Sequence, residues 1–200
     1  MNKNIKYLIE DIVNFNPVDY NDEDNMLLSR HDMSDIIFNY FPKTRIELIK
    51  IIKTKIKENE FGDDELVFPN LYDINTSLIT DMSELFQSIL EYNIKPIKLD
   101  LSSWDVSNVI DMSYMFGYCS ELIELNLSGW NSFNVKDMFG LFCGCTSLTK
   151  LNLSGFDTSN VTNMDSMFFK CESLKSVDLS SFDTSNVTSM NSMFSSCKSL

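Results

Sequence analysis

The second half of the chain repeats itself every 26 residues, and this period constrains the fold more than any other feature. Eight columns of residues keep the interval. Two of these columns are Leu99, Leu125, Leu151, Val177 and Cys119, Cys145, Cys171, Cys197. A unit this short cannot bury its own apolar face, so consecutive copies must stack on one another. The period therefore predicts an array of stacked repeats.

Within one repeat the spacing of the apolar residues changes. Leu151 and Leu153 alternate as in a short strand. Helical spacing then follows at Val161, Met164, Met167, Phe168 and Cys171. Asn160 or Thr162 can cap that helix. The sequence therefore predicts an α/β fold, a leucine-rich-repeat solenoid with a parallel strand face and short helices on the other face.

The repeats divide the region 67–200. We expect a degenerate first repeat at 69–98, complete repeats at 99–124, 125–150 and 151–176, and an incomplete repeat at 177–200. The array stops within a repeat and without a polar cap, whereas solenoids need capped ends for solubility. This predicts self-association through the uncapped C-terminal end.

Residues 1–66 follow a different, helical pattern. Apolar residues from Ile5 to Val13 recur at helical spacing. Thr44 and Glu47 form a capping box. The apolar stripe of the helix behind it is Ile46, Ile49, Ile52 and Ile56. We expect a helical N-terminal region at 1–66 that covers the open first turn of the array.

Composition and motifs exclude several functions. Twenty-nine acidic against 16 basic residues give a net charge of −13, which argues against nucleic-acid binding. No apolar run approaches the ~18 residues of a membrane span. Glu10 and Asp11 interrupt the only signal-like segment. A single histidine, His31, and the absence of phosphate-binding or zinc-protease motifs predict no enzyme, no catalytic residue and no cofactor.

The repeated cysteines invite a metal or disulfide interpretation. Stacking places equivalent residues ~4.8 Å apart with parallel side chains. That geometry suits neither a disulfide nor a tetrahedral zinc site. We expect a ladder of buried free thiols and no metal, with Cys143 as a separate thiol that is exposed or half-exposed.

Other columns are expected to serve the core. The methionines and phenylalanines of the predicted helices, and the aromatic column that begins at Trp104, should be buried, with Trp130 partly exposed. The asparagine column at Asn108, Asn134, Asn160 and Asn186 should form an internal ladder that satisfies backbone groups of the turns.

The outward face of the strands is the candidate binding surface. It presents short polar side chains on a rigid sheet, flanked by Lys98 and Ser176. The candidate residues are Asp100, Ser102, Glu124, Asn126, Ser128, Lys150, Asn152, Ser154, Asp178 and Ser180. The face lacks the Trp, Tyr and Arg anchors of strong interfaces, so each repeat would contribute weakly and additively. An ordinary solvated sheet face is the alternative.

The segment from Leu151 to Cys171, LNLSGFDTSNVTNMDSMFFKC, and its copies carry a family resemblance. The region 69–200 resembles the BspA-like leucine-rich-repeat surface proteins of bacteria. The resemblance implies a surface-displayed adhesin whose protein ligand is a host matrix or plasma protein. The alternative is an intracellular or virion-associated scaffold built from the same repeats; because no export signal is visible, the cytoplasm is the alternative location.

Overall fold

The computed structural model describes residues 41–59, 69–90 and 96–200. The chain divides into two compact units, Met1–Asn39 and Tyr40–Leu200. The first unit lies outside the described residues, as do the predicted helix near Ile5 and the residue His31. The division predicted at residue 66 stays a prediction.

The described part of the chain is α/β. It contains an α-helix, α1 (Arg45–Asn59), a 3₁₀-helix at Gln87–Ile89, and three short strands, β1 (Lys98–Asp100), β2 (Glu124–Asn126) and β3 (Lys150–Asn152). Among these residues no helix is long and apolar enough to cross a membrane.

Helix α1 begins at its predicted cap. The Thr44 hydroxyl accepts a hydrogen bond from the Glu47 amide at 3.2 Å. The Glu47 carboxylate accepts from the Lys43 amide at 2.7 Å, one residue before the amide that a capping box uses. The buried stripe is Leu48, Ile51, Ile52 and Ile56. The prediction was wrong for Ile46, which is 64% exposed, because Leu48 and Ile51 take the inner face.

The helix packs against the first repeat, near the 3₁₀-helix. The Arg45 guanidinium donates to the Ser83 hydroxyl and lies 3.9 Å from the Asp81 carboxylate. Lys55 pairs with Asp73 at 2.9 Å. Together with the buried stripe of α1, these polar contacts hold the helix on the first repeat.

The three strands form a parallel sheet in the order β1-β2-β3. Leu99 pairs with Leu125 and Leu125 with Leu151, so the register equals the 26-residue period. Leu99 and Leu125 point inward, while residues on either side face solvent or are half-buried. The predicted parallel strand face is confirmed for these repeats. The strand predicted around Val177–Leu179 is not formed.

The short helices predicted after the strands were wrong. Residues 161–171 form successive turns. Ser166 and Lys170 have φ angles of 55° and 59°, in the left-handed region that a right-handed helix cannot contain. The apolar spacing misled the prediction, because a run of tight turns also buries one residue in every three or four.

These turns are tied together by a regular hydrogen-bond pattern. The amides of Met138, Gly140, Phe142 and Gly144 donate to carbonyls of the next repeat at 2.7–3.0 Å. The amides of Leu141 and Cys143 instead close β-turns within the repeat, donating to the carbonyls of Met138 and Gly140 at 3.2 and 2.8 Å. We call the stacked turns at 81–90, 111–119, 137–145, 163–171 and 189–197 the turn ladder.

Aromatic rings stack through the interior of the turn ladder. Phe86, Phe116, Phe142, Phe168 and Phe194 form a continuous pile with centroids 5.1–5.7 Å apart. The predicted burial is confirmed for Met112, Phe116 and their equivalents in the next two repeats. It was wrong for Met190 and Phe194, which are 46% and 41% exposed, and Phe139 and Phe169 are half-buried. Trp130 is only 1% exposed, so its expected partial exposure was wrong; its indole donates to the Leu101 carbonyl at 2.8 Å.

The cysteine column is a ladder of free thiols, as predicted. The thiols of Cys145, Cys171 and Cys197 each donate to a phenylalanine carbonyl of the preceding repeat, at 2.9–3.2 Å. Burial raises the pKa of Cys119 and of Cys171 to about 12. Cys143 is 2% exposed, so its expected exposure was wrong: it lies within the turn ladder.

The asparagine column satisfies backbone groups of the turns, as predicted, but the expectation that it is internal was wrong. The side-chain amides of Asn108, Asn134, Asn160 and Asn186 donate to turn carbonyls of the preceding repeat at 2.6–2.9 Å. Three of the four are exposed, and Asn160 is half-buried. The column therefore links neighbouring repeats along the surface.

Candidate binding face

The outward side of the sheet forms a groove of about 930 Å³. Six of the predicted binding residues line it, namely Asp100, Glu124, Asn126, Ser128, Lys150 and Asn152. The other four, Ser102, Ser154, Asp178 and Ser180, lie outside its lining. The groove also reaches Thr149 and, in the degenerate first repeat, Pro69 and Asn70, none of which was predicted.

Charges alternate along the first column of this face, which consists of Lys98, Glu124 and Lys150. Glu124 lies between Lys98, at 3.4 Å, and Lys150, to which it is also hydrogen bonded. The hydrogen bond from Lys150 and the nearby positive charges lower the pKa of the Glu124 carboxyl. Because both lysine side chains are more than two-thirds exposed, the column offers cations to a partner at either end.

The side chains of the second column close the turns that follow the strands. This column consists of Asp100, Asn126, Asn152 and Asp178. The Asp100 carboxylate accepts from the Ser102 hydroxyl at 2.7 Å and from its amide at 3.0 Å, which lowers the pKa of Asp100. The side-chain oxygens of Asn126, Asn152 and Asp178 accept the amide two residues later in the same way. Such Asx turns fix each side chain, so the face is rigid and preorganised.

Neighbouring members of the second column are also joined to each other across the strands. The Asn126 side-chain amide donates to the Asp100 carboxylate at 3.1 Å. Each side chain therefore keeps part of its hydrogen-bonding capacity within the protein and offers the remainder to solvent or a partner. Such an arrangement can bind through hydrogen bonds; within the described ranges no group of three His, Cys, Asp or Glu residues could hold a metal ion.

A second surface was missed by sequence reasoning. Tyr114, Tyr118 and Phe139 cluster on the outside of the turn ladder, where the rings of Tyr114 and Tyr118 stack. The signal was present in the columns: at the positions of the two tyrosines the later repeats carry only Gly, Ser or Lys. Attention to the shared columns hid these departures from the repeat.

One known family matches two overlapping stretches of the chain. Residues 58–151 and 118–200 match the family described as "Mycoplasma protein of unknown function, DUF285". The chain belongs to this family. The family is uncharacterised, and the two overlapping matches cover the repeats together with the segment just before them. No curated protein and no solved structure matches the chain.

Proposed function

We propose that this DUF285 chain is a non-enzymatic leucine-rich-repeat solenoid of the BspA-like type that binds a protein partner. The observation that carries the proposal is the polar groove on the parallel strands, lined by Asp100, Glu124, Asn126, Lys150 and Asn152. The 26-residue register of the sheet supports the solenoid architecture. Family resemblance supports adhesion at a bacterial surface.

The mechanism would be many weak hydrogen bonds from a preorganised sheet. Because the Asx turns fix the polar side chains before binding, little side-chain entropy is lost when a partner docks. Each repeat would contribute a small increment, and successive repeats would add by multivalency. A host matrix or plasma protein is the partner class that the resemblance favours.

A charge change that preserves the turns tests the strand face. Asp occupies the Asn126 and Asn152 column at positions 100 and 178 and makes the same turn, so the double variant Asn126→Asp/Asn152→Asp should fold. We expect it to lose binding to the partner found among immobilised matrix and plasma proteins. Asn131→Asp, in a turn outside the groove, is the matched control; equal binding by both variants would contradict the strand-face site.

Surface display is tested separately. Intact cells making the native protein are treated with protease, and released repeat peptides are detected. Release without lysis supports the adhesin. Complete protection, with release in a lysed control, would reject display and favour the intracellular or virion-associated scaffold.

A further inference from the structure

The outside of the turn ladder carries the aromatic anchors that the strand face lacks. The rings of Tyr114 and Tyr118 stack with centroids 6.1 Å apart and planes 13° apart. Phe139 packs edge-on against Tyr114 at 4.9 Å. Tyr118 is 52% exposed, and the other two are half-buried. We call these three residues the aromatic edge. Tyrosine is among the residues that dominate interface energetics.

The fold does not require tyrosines at these positions. Tyr114 and Tyr118 have φ angles of 52° and 60°, a left-handed conformation that bulky residues seldom adopt. In the following repeats the same positions hold Gly, Ser or Lys with the same sign of φ. Backbone strain of ~1–3 kcal/mol is concentrated at functional sites in proteins. The tyrosines therefore carry backbone strain that Gly140 and Gly144, at the same positions of the next repeat, avoid.

The next repeat is shaped to receive the two rings. A Cβ atom on Gly140 would lie 2.6 Å from Cε1 of Tyr114, and one on Gly144 would lie 2.9 Å from Cδ1 of Tyr118. Each ring thus lies directly against the backbone of the neighbouring repeat. The result is a fixed aromatic surface that spans two repeats.

The surroundings of the aromatic edge suit a cation. Glu84 precedes Tyr114 in its column, and Asp111 pairs with Asp137 three residues before Tyr114 and Gly140 in the same turns. On the same side of the ladder, the Lys170 ammonium lies 5.3 Å from the centroid of the Phe169 ring. The chain as a whole carries a net charge of −13, which would attract a basic partner from a distance.

We propose that the aromatic edge binds a basic segment of the protein partner, with an arginine side chain stacked on Tyr118. The proposal rests on the protein-binding function proposed above and moves its strongest contact from the strand face to the turn ladder. Arginine fits better than lysine, because its planar, weakly hydrated guanidinium stacks on an aromatic face.

A synthetic peptide of alternating Arg and Gly residues is the probe, and the same peptide with citrulline in place of arginine is its neutral control. Titrations of the full chain at low salt should show that the Arg peptide binds and that the citrulline peptide binds several-fold more weakly. Tyr118→Ser should lower the affinity for the Arg peptide by about three- to thirtyfold, the range expected for a cation on an aromatic ring.

Tyr118→Ser is the test variant, and Tyr72→Ser is its matched control. Serine already occupies the equivalent position 196 with φ 64°, so Tyr118→Ser should fold. Tyr72→Ser removes a tyrosine that is 67% exposed and lies outside the aromatic edge, and it should leave the affinity unchanged.

Absence of Arg-peptide binding, equal binding of the citrulline peptide, or unchanged affinity in Tyr118→Ser would overturn this proposal. If instead Glu124→Gln alone lowers the affinity, the basic segment lies on the strand face. That outcome overturns the aromatic edge but leaves the proposed protein-binding function standing. Protein binding itself is tested by the matrix and plasma protein panel.

Discussion

The strand face and the turn ladder stack the same repeats in different ways. The sheet joins three strands of three residues each and ends at β3. The turn ladder continues through five repeats, from the bridge between Asp81 and Asp111 to that between Asn163 and Ser189. The stack therefore owes its continuity to the turns, and the sheet is a local addition to it.

The two regions also use their side chains differently. On the strand face, Asp100, Asn126 and Asn152 close the turns on which the repeat depends. On the turn ladder, positions 114 and 118 accept Tyr, Gly, Ser or Lys in different repeats. Positions that the fold leaves free to vary can carry a function of their own, and this difference underlies the predictions below.

The largest expected effect is the loss of a ring from the aromatic pile. Phe142 is fully buried and stacks on Phe116 at 5.7 Å and on Phe168 at 5.4 Å. We expect Phe142→Ala to lower the free energy of unfolding by about 3–5 kcal/mol, measured by urea denaturation. Leu125→Ala in β2 is the comparison; a larger loss there would contradict the dominance of the turn ladder.

A buried hydroxyl should have the next largest effect. The Thr158 hydroxyl accepts from the Asp183 amide at 2.8 Å and donates to the Asp183 carbonyl at 2.9 Å. Thr158→Val removes both bonds at nearly constant volume and should cost about 1–3 kcal/mol of unfolding free energy. Thr188→Val, at an exposed hydroxyl, should cost less; equal losses would show that the buried link is unimportant.

A glycine substitution tests whether the Tyr114 ring packs against the backbone of Gly140. Gly140→Ala places a methyl group against the Tyr114 ring at φ 59° and should destabilise the protein by about 1–2 kcal/mol. In a Tyr114→Ser background the cost should fall by about 0.5 kcal/mol or more, because the contacting ring is gone. A double-mutant cycle in urea measures this coupling, and strict additivity would mean that the ring does not lie on Gly140.

The smallest effect is expected at the charged column of the strand face. The folded-state pKa of Glu124 is lowered, so its stabilisation is present above its unfolded pKa of about 4.3 and is lost as the pH falls below it. Glu124→Gln should reduce the drop in urea midpoint between pH 7 and about pH 3.5. The same drop in both proteins would mean that the lysine contacts contribute nothing to stability.

The sequence predicted which residues align between repeats, but it did not predict the backbone conformation between the strands. The 26-residue interval predicted the sheet register at Leu99, Leu125 and Leu151 and the burial of Cys119, Cys145 and Cys171. It could not separate helix from turns at 161–171, because both bury residues at three- and four-residue spacing and the decisive left-handed residues are Ser166 and Lys170 rather than glycine.

The candidate sites show the same limit. The polar strand face could be predicted, since alternation along a strand assigns each side chain to a face. For the aromatic edge, the columns mark Tyr114 and Tyr118 as departures from the repeat, but they do not show that the two rings stack or that each lies against a glycine of the next repeat.

Residue-resolved amide hydrogen exchange tests most directly whether the turn ladder holds the stack together. We predict that the amides of Met138, Gly140, Phe142 and Gly144, which donate to the next repeat, exchange more slowly than those of β2 at Glu124–Asn126. Slower exchange in β2, or unprotected exchange at these four amides, would contradict the account.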